Sequence, residues 1–342
     1  MKTRAFPILI AACSLVCLPV FPAEVNIQGP VIGYFADTGG IHAISGVPGS
    51  ATVGPVLASD LEFIWIAPDS RTALGIRQGM IFLLQDVRNT AARVPLMQWT
   101  GPVDSVLWSG DSTGALIYSS ERGIFQTATG LPSAPSVNRE TDVTGLGGQA
   151  LSFRLSGKPW NVALIVKAVT ASRRRPASMQ RANSAASLYL FTSAGTPILV
   201  RGISLPGPMD FSPDAQAVYV VDKSVNQLMK VSVSTPDTVE AVNLHAPELV
   251  PGDFSDLAVS PEGQRIFVLD KQRKAVCGFA IASGNTTFCS DLDFSPAGMK
   301  RLAGSLYLLD ATADPTAPLW ILDSDPGRTF FVPLSTPLGG QR

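Results

Sequence analysis

Five acidic residues occupy the same place in a recurring pattern, three residues after an aromatic. They close the segments Tyr34-Phe35-Ala36-Asp37, Tyr118-Ser119-Ser120-Glu121, Tyr219-Val220-Val221-Asp222, Phe267-Val268-Leu269-Asp270 and Tyr307-Leu308-Leu309-Asp310. Four others are set in apolar runs: Asp256, Asp291 and Asp293 are expected to begin inner strands, and Asp210 lies between Met209 and Phe211. Carboxylates brought together from several elements suit a hard cation such as Ca2+, which takes about six to eight oxygens. The same residues also have a local use, because an aspartate that ends a strand bonds the amides of its own turn. Ca2+ is therefore the one ion to test, and no other cofactor is expected.

Other reactive groups are sparse. Gly110-Asp111-Ser112-Thr113-Gly114 matches the G-x-S-x-G nucleophile pattern, which needs a following helix and a triad histidine. Here the segment falls between two strand-like runs, so a hairpin turn accounts for it. The only histidines, His42 and His245, lie far in sequence from Cys277 and Cys289, so zinc is not expected. Those cysteines flank the turn Ser283-Gly284-Asn285. Cysteines opposed on neighbouring antiparallel strands approach bonding distance, so a disulfide is expected.

The elements that position these groups are short strands. In Met209 to Val233, a strand ending at Phe211 meets the turn Ser212-Pro213-Asp214-Ala215. The alternating run Ala217–Val221 follows, and then a third strand from Leu228. The pattern returns at Leu257-Ala258-Val259-Ser260-Pro261-Glu262 and at Leu292-Asp293-Phe294-Ser295-Pro296. Tyr219, Phe267 and Tyr307 are 48 and 40 residues apart, and Tyr34 and Tyr118 are 84 apart, or two units. A period of roughly 40–50 residues with four strands per unit predicts a β-propeller.

Aligned on the turn, Ile66, Trp108, Leu155, Phe211, Val259 and Phe294 occupy one position. Ile64, Val106, Phe153, Met209, Leu257 and Leu292 occupy a second, two residues earlier. Both sets are apolar, as on the packed face of an inner strand. Between them lies a mixed set: Trp65, Leu107, Arg154, Asp210, Ala258 and Asp293. Seven units are expected, with four-stranded antiparallel blades. Six remain open if the first unit, whose inner strand is not evident, is a partial cap. Glu24–Gly29 or a terminal strand crossing over would supply that strand. In such a ring the five strand-end acids share one face, and Asp210, Asp256, Asp291 and Asp293 approach the axis.

The Ser-Pro turns and the Tyr219–Asp222, Phe267–Asp270 and Tyr307–Asp310 strand endings resemble the YVTN-type and WD-repeat-like propellers of bacterial secreted proteins. The resemblance is best from Met209 to Leu334, and no WD dipeptide closes a strand. It implies a seven-bladed fold. It leaves the chemistry open, because such propellers host lactonases, quinoprotein dehydrogenases, binding scaffolds and assembly factors.

Of 342 residues, 46% are hydrophobic and 15% charged, with 30 Gly, 27 Pro and a net charge of −1. This balance describes a turn-rich globular chain without a field for nucleic acid or a membrane surface. Lys2 and Arg4 precede an apolar run ending at Pro22-Ala23, which reads as a secretory signal peptide over 1–23. Ile10-Ala11-Ala12-Cys13 also resembles a lipobox that would lipidate Cys13. One propeller domain, 24–336, and a loose tail, 337–342, follow. The mature chain is expected to be secreted or periplasmic, monomeric and without a membrane span.

An insertion over 170–187 carries Arg173, Arg174, Arg175 and Arg181. It reads either as a solvated loop or as a docking loop for an acidic partner or anionic glycan. The five tryptophans are expected to pack between blades. The leading expectation is a non-catalytic scaffold that binds a protein or glycan across its loop face. The alternative is a lactonase-like hydrolase whose axial carboxylates hold a divalent metal.

Overall fold

A computed structural model describes residues 29–37, 40–57, 60–89, 92–168, 186–192, 196–225, 227–245, 254–310 and 319–333. The signal segment, Cys13, the four arginines of the insertion and the tail lie outside these residues. Seven antiparallel sheets follow one another along the chain, the strands of each hydrogen-bonded in sequence order. The chain is an all-β, seven-bladed propeller. Five blades have four strands. Blade three splits its outer strand into Ser136–Val137 and Thr141–Asp142, and blade one has three strands among the described residues.

Blades two to seven start at the axis with Phe63–Ile66, Ser105–Trp108, Gly148–Leu155, Pro206–Phe211, Phe254–Val259 and Gly298–Ala303. Ser109, Ser156, Ser212 and Ser260 follow four of these strands. Each accepts at Oγ the amide of the residue five positions on, at 2.7–3.0 Å. The fourth residue of three of these turns has a left-handed backbone: Ser112 at φ 61°, Ala215 at 59° and Gly263 at 71°. These turns define a turn face. The opposite loop face carries the connections from second to third strands and from blade to blade.

The core lies between blades. Tyr219, Val221 and Leu228 of blade five interleave with Leu257, Val259, Ile266 and Val268 of blade six. Each such side chain contributes about 1.5–3 kcal/mol by leaving water. In blade one, Tyr34 and Ile41 pack on blade two as Tyr219 and Leu228 pack on blade six. Val31–Asp37, Gly40–Ser45 and Thr52–Val56 therefore have the register of second, third and fourth strands. Val31–Asp37 takes the innermost place and touches both Phe63–Ile66 and Gly298–Ala303, which closes the ring. Gly33 permits this approach, since a Cβ there would meet Leu302 Cδ2 at 2.9 Å. Ser70 of blade two donates its hydroxyl to the Leu302 carbonyl across the same junction.

One expected inner strand is misplaced. Leu292-Asp293-Phe294 lies on the link between blades six and seven, and Ser295 Oγ donates to the Lys271 carbonyl at 3.0 Å. The inner strand of blade seven is the more polar Gly298–Ala303, which turns through Gly304-Ser305 without a Ser-Pro pair. In blade six Cys277 and Cys289 face each other on the third and fourth strands. They form a disulfide with Cα atoms 4.1 Å apart. No helix among the described residues is long and apolar enough to cross a membrane.

Candidate binding sites

Arg154 lies between buried Phe153 and Leu155, and Asp210 between buried Met209 and Phe211. Strand alternation directs both charged side chains toward the axis. Arg154 Nη2 donates to Asp256 Oδ1 at 2.6 Å. This bond runs from blade four to blade six, past Asp210 of blade five. Asp256 Oδ1 also accepts the Leu257 amide at 2.9 Å, while Oδ2 accepts the Met299 amide of blade seven at 2.8 Å. Asp210 repeats the arrangement one blade earlier. Its Oδ1 accepts the Phe211 amide and its Oδ2 the Val259 amide of blade six, both at 2.9 Å. Burial pushes the Asp210 carboxyl up to about 6, against the pull of the Arg154 guanidinium and the two amides. The chemistry of this trio is interblade fastening by charge-assisted hydrogen bonds.

Asp291 and Asp293 do not join it. Asp291 ends the outermost strand of blade six, opposite Ala275, and Asp293 follows on the link to blade seven. The expectation that both begin inner strands fails because Ser295-Pro296 marks a link rather than an inner-strand turn. Among the described residues, no group of three or more His, Cys, Asp or Glu is placed to hold a metal ion.

The strand-end acids do share the loop face. Asp222, Asp270 and Asp310 end second strands, Asp37 ends the strand with that register in blade one, and Glu121 follows Gly114–Ser119. Three cap their own turns. Asp37 Oδ1 accepts the Gly40 amide at 3.1 Å, and Asp222 Oδ1 accepts the Ser224 amide at 3.0 Å and its hydroxyl at 2.6 Å. Asp270 is buried and accepts the Arg273 amide at 2.9 Å. Glu121 and Asp310 are exposed. Arg122, Lys223, Lys271, Arg273 and Lys274 stand in the same turns, so this face carries mixed charge rather than the acidic field expected from the acids alone.

Ser112 is a structural residue. Its Oγ accepts the Asp69 amide of blade two at 2.8 Å, and no helix follows it. Tryptophans join blades: Trp108 Nε1 donates to the Trp65 carbonyl and Trp160 Nε1 to Thr113 Oγ1, both at 3.0 Å. The residue that sequence reasoning undervalued is Arg154. Its signal was a cation at an inner-strand position where the next blade carries Asp210.

No protein-family model matches the chain, and no curated protein matches its sequence. Solved structures share its fold. Hsv2 of Kluyveromyces marxianus is 10% identical, with a TM-score of 0.51 over 90% of this chain and 98% of that one. Virginiamycin B lyase of Staphylococcus aureus is 12% identical, with a TM-score of 0.50 over 83% and 92%. A functionally unknown protein of Desulfotomaculum acetoxidans is 12% identical, with a TM-score of 0.51 over 85% and 91%. At these identities the likeness shows the fold alone.

Proposed function

We propose that the chain is an extracytoplasmic propeller scaffold of the YVTN-type, WD-repeat-like kind that binds a protein or glycan at its loop face. The observation that carries this reading is the commitment of Asp210 and Asp256. Their oxygens bond the amides of neighbouring blades and the Arg154 guanidinium, which is a mechanical use of the axis. The Cys277–Cys289 disulfide and the apolar N-terminal segment support an oxidising compartment outside the cytoplasm. Loop-face turns of mixed charge suit a polar partner, and the sequence over 170–187 adds four arginines to the chain's cationic groups.

The test is a hydrolysis panel of lactones and esters with and without Ca2+, beside capture of envelope components by the full chain and by a chain lacking 170–185, which spares the strand that begins at Ala186. The reading predicts no turnover, and capture that falls when the insertion is removed. Ca2+-dependent turnover lost in Asp256→Asn would replace it with the second reading, a metal-dependent hydrolase. The observation favouring that second reading is the placement of two carboxylates, Asp210 and Asp256, on neighbouring inner strands beside the axis.

A further inference from the structure

Inner strands of a closed ring are covered by neighbouring blades on both faces and by their own second strands along one edge. A side chain exposed on them reaches water only along the axis or at its mouths. Three such places on the loop side carry large apolar groups. Phe63 begins the inner strand of blade two and is 60% exposed, its ring 6.0 Å from that of Trp65. Leu151, 49% exposed, is the extra residue of a bulge in the inner strand of blade four. Leu205, 50% exposed, immediately precedes the inner strand of blade five, and its carbonyl accepts the Lys223 amide at 2.9 Å. Apolar residues exposed singly need no explanation, but these three belong to one opening.

The acids nearest that opening are turned away from it. Glu62 Oε1 accepts the Gln78 amide at 2.7 Å, and Asp104 Oδ2 accepts the Ser120 amide at 2.6 Å and its hydroxyl at 2.9 Å. Ser255, the bulge residue of blade six, donates its hydroxyl to the Pro296 carbonyl at 2.9 Å. An apolar collar remains. Deeper along the axis runs the Arg154–Asp256 bond. Beside it, on the inner strand of blade seven, stands Lys300, next to the Met299 amide that Asp256 holds. Lys300 is exposed and makes no hydrogen bond or ion pair with another described residue. Farther out, Glu121, Lys271, Lys274 and Asp310 are exposed at the loop-face turns. An apolar centre within a rim of mixed charge is the anatomy of a protein interface. A sugar seated in the collar would leave its hydroxyls without partners, which costs binding energy.

We propose that this collar takes an apolar side chain of a protein partner, with an acidic group beside that side chain pairing with Lys300. This rests on the loop-face binding reading and narrows its partner from protein or glycan to protein.

The probe is anilinonaphthalene sulfonate, an apolar ring system with an anionic group, titrated into the full chain by fluorescence. The expected result is one saturable site. Phe63→Ser and Leu205→Ser should each bind the probe at least about fivefold more weakly, with an unchanged melting temperature. Lys300→Met should lose a similar factor for this probe and nothing for the uncharged N-phenylnaphthylamine. Val94→Ser, exposed on the outer strand of blade two, should change neither. Dodecapeptides selected on the full chain by phage display should carry leucine or phenylalanine beside an acid and should displace the probe, whereas chitohexaose should not. The assignment is overturned by the absence of a saturable site, by unchanged affinity in a folded Phe63→Ser or Leu205→Ser chain, or by an equal loss in Val94→Ser. Selection that enriches no peptide, or only peptides that leave the probe in place, overturns it too, and displacement by chitohexaose alone would give the collar to a glycan. Equal weakening of both probes in Lys300→Met would overturn the acidic pairing. Failure here leaves loop-face capture standing, while Ca2+-dependent turnover would end the binding reading without removing the probe site.

Discussion

Replacing Asp256 separates a fastener from a metal site by the sign of the stability change. Asp256→Ala removes the acceptor of the Arg154 guanidinium at 2.6 Å and of the Met299 amide at 2.8 Å. The side chains of Arg154 and Asp256 are 23% and 14% exposed, so both are largely withdrawn from water. Removing one partner of a buried pair costs about 3–5 kcal/mol, and a hydrogen bond to a charged group contributes about 1.5–3 kcal/mol. These contributions overlap, and partial exposure of the guanidinium reduces them, so a loss of roughly 3 kcal/mol is expected. Arg154→Met leaves both amide bonds to Asp256 in place and should lose roughly half as much. Urea unfolding at neutral pH, with the slope checked for constancy, reads both values. An axis built for a cation would behave in the opposite way, because carboxylates gathered without their ion repel one another. Asp256→Ala leaving stability unchanged or raising it would refute the fastener argument.

The raised carboxyl of Asp210 makes a pH prediction. Between about pH 4, where an unfolded aspartate ionises, and about pH 6 the folded chain holds a proton that the unfolded chain has released. Stability should therefore fall by up to roughly 3 kcal/mol across that window and level off above it. Asp210→Asn should flatten the slope, and an identical slope in the variant would reassign it. Reduction of Cys277–Cys289, two cysteines 12 positions apart, should lower stability by about 2–3 kcal/mol, read as a lower melting temperature in reductant. No change would mean that the bond is absent in solution. Ala215 holds φ at 59°, so Ala215→Gly should stabilise the chain by about 1 kcal/mol in urea unfolding. Ser112→Gly should not, because it also removes the acceptor of the Asp69 amide. A gain in Ser112→Gly as large as that in Ala215→Gly would show that this bond adds nothing.

Blade count, strand endings and the disulfide were legible because each has a local signature: a Ser-Pro turn, an aromatic three residues before an acid, two cysteines centred on a turn. The same turn signature misled at Ser295-Pro296, since turn chemistry is alike in a hairpin and in a link between blades. The true inner strand, Gly298–Ala303, hides behind Lys300 and Arg301. The pairing of Arg154 with Asp256 was out of reach. The residues are 102 apart, and Asp256 stands four residues before its turn serine where Arg154 stands two before its own, so alignment on the turn does not match them.

The most direct test of the axial claim is calorimetric titration of Ca2+ into chelator-treated protein. With Asp210 and Asp256 already satisfied by Arg154 and the amides of the next blades, no saturable heat is predicted, and no change in melting temperature should accompany it. A single saturable site that disappears in Asp256→Asn would contradict the account and assign the axis to a metal.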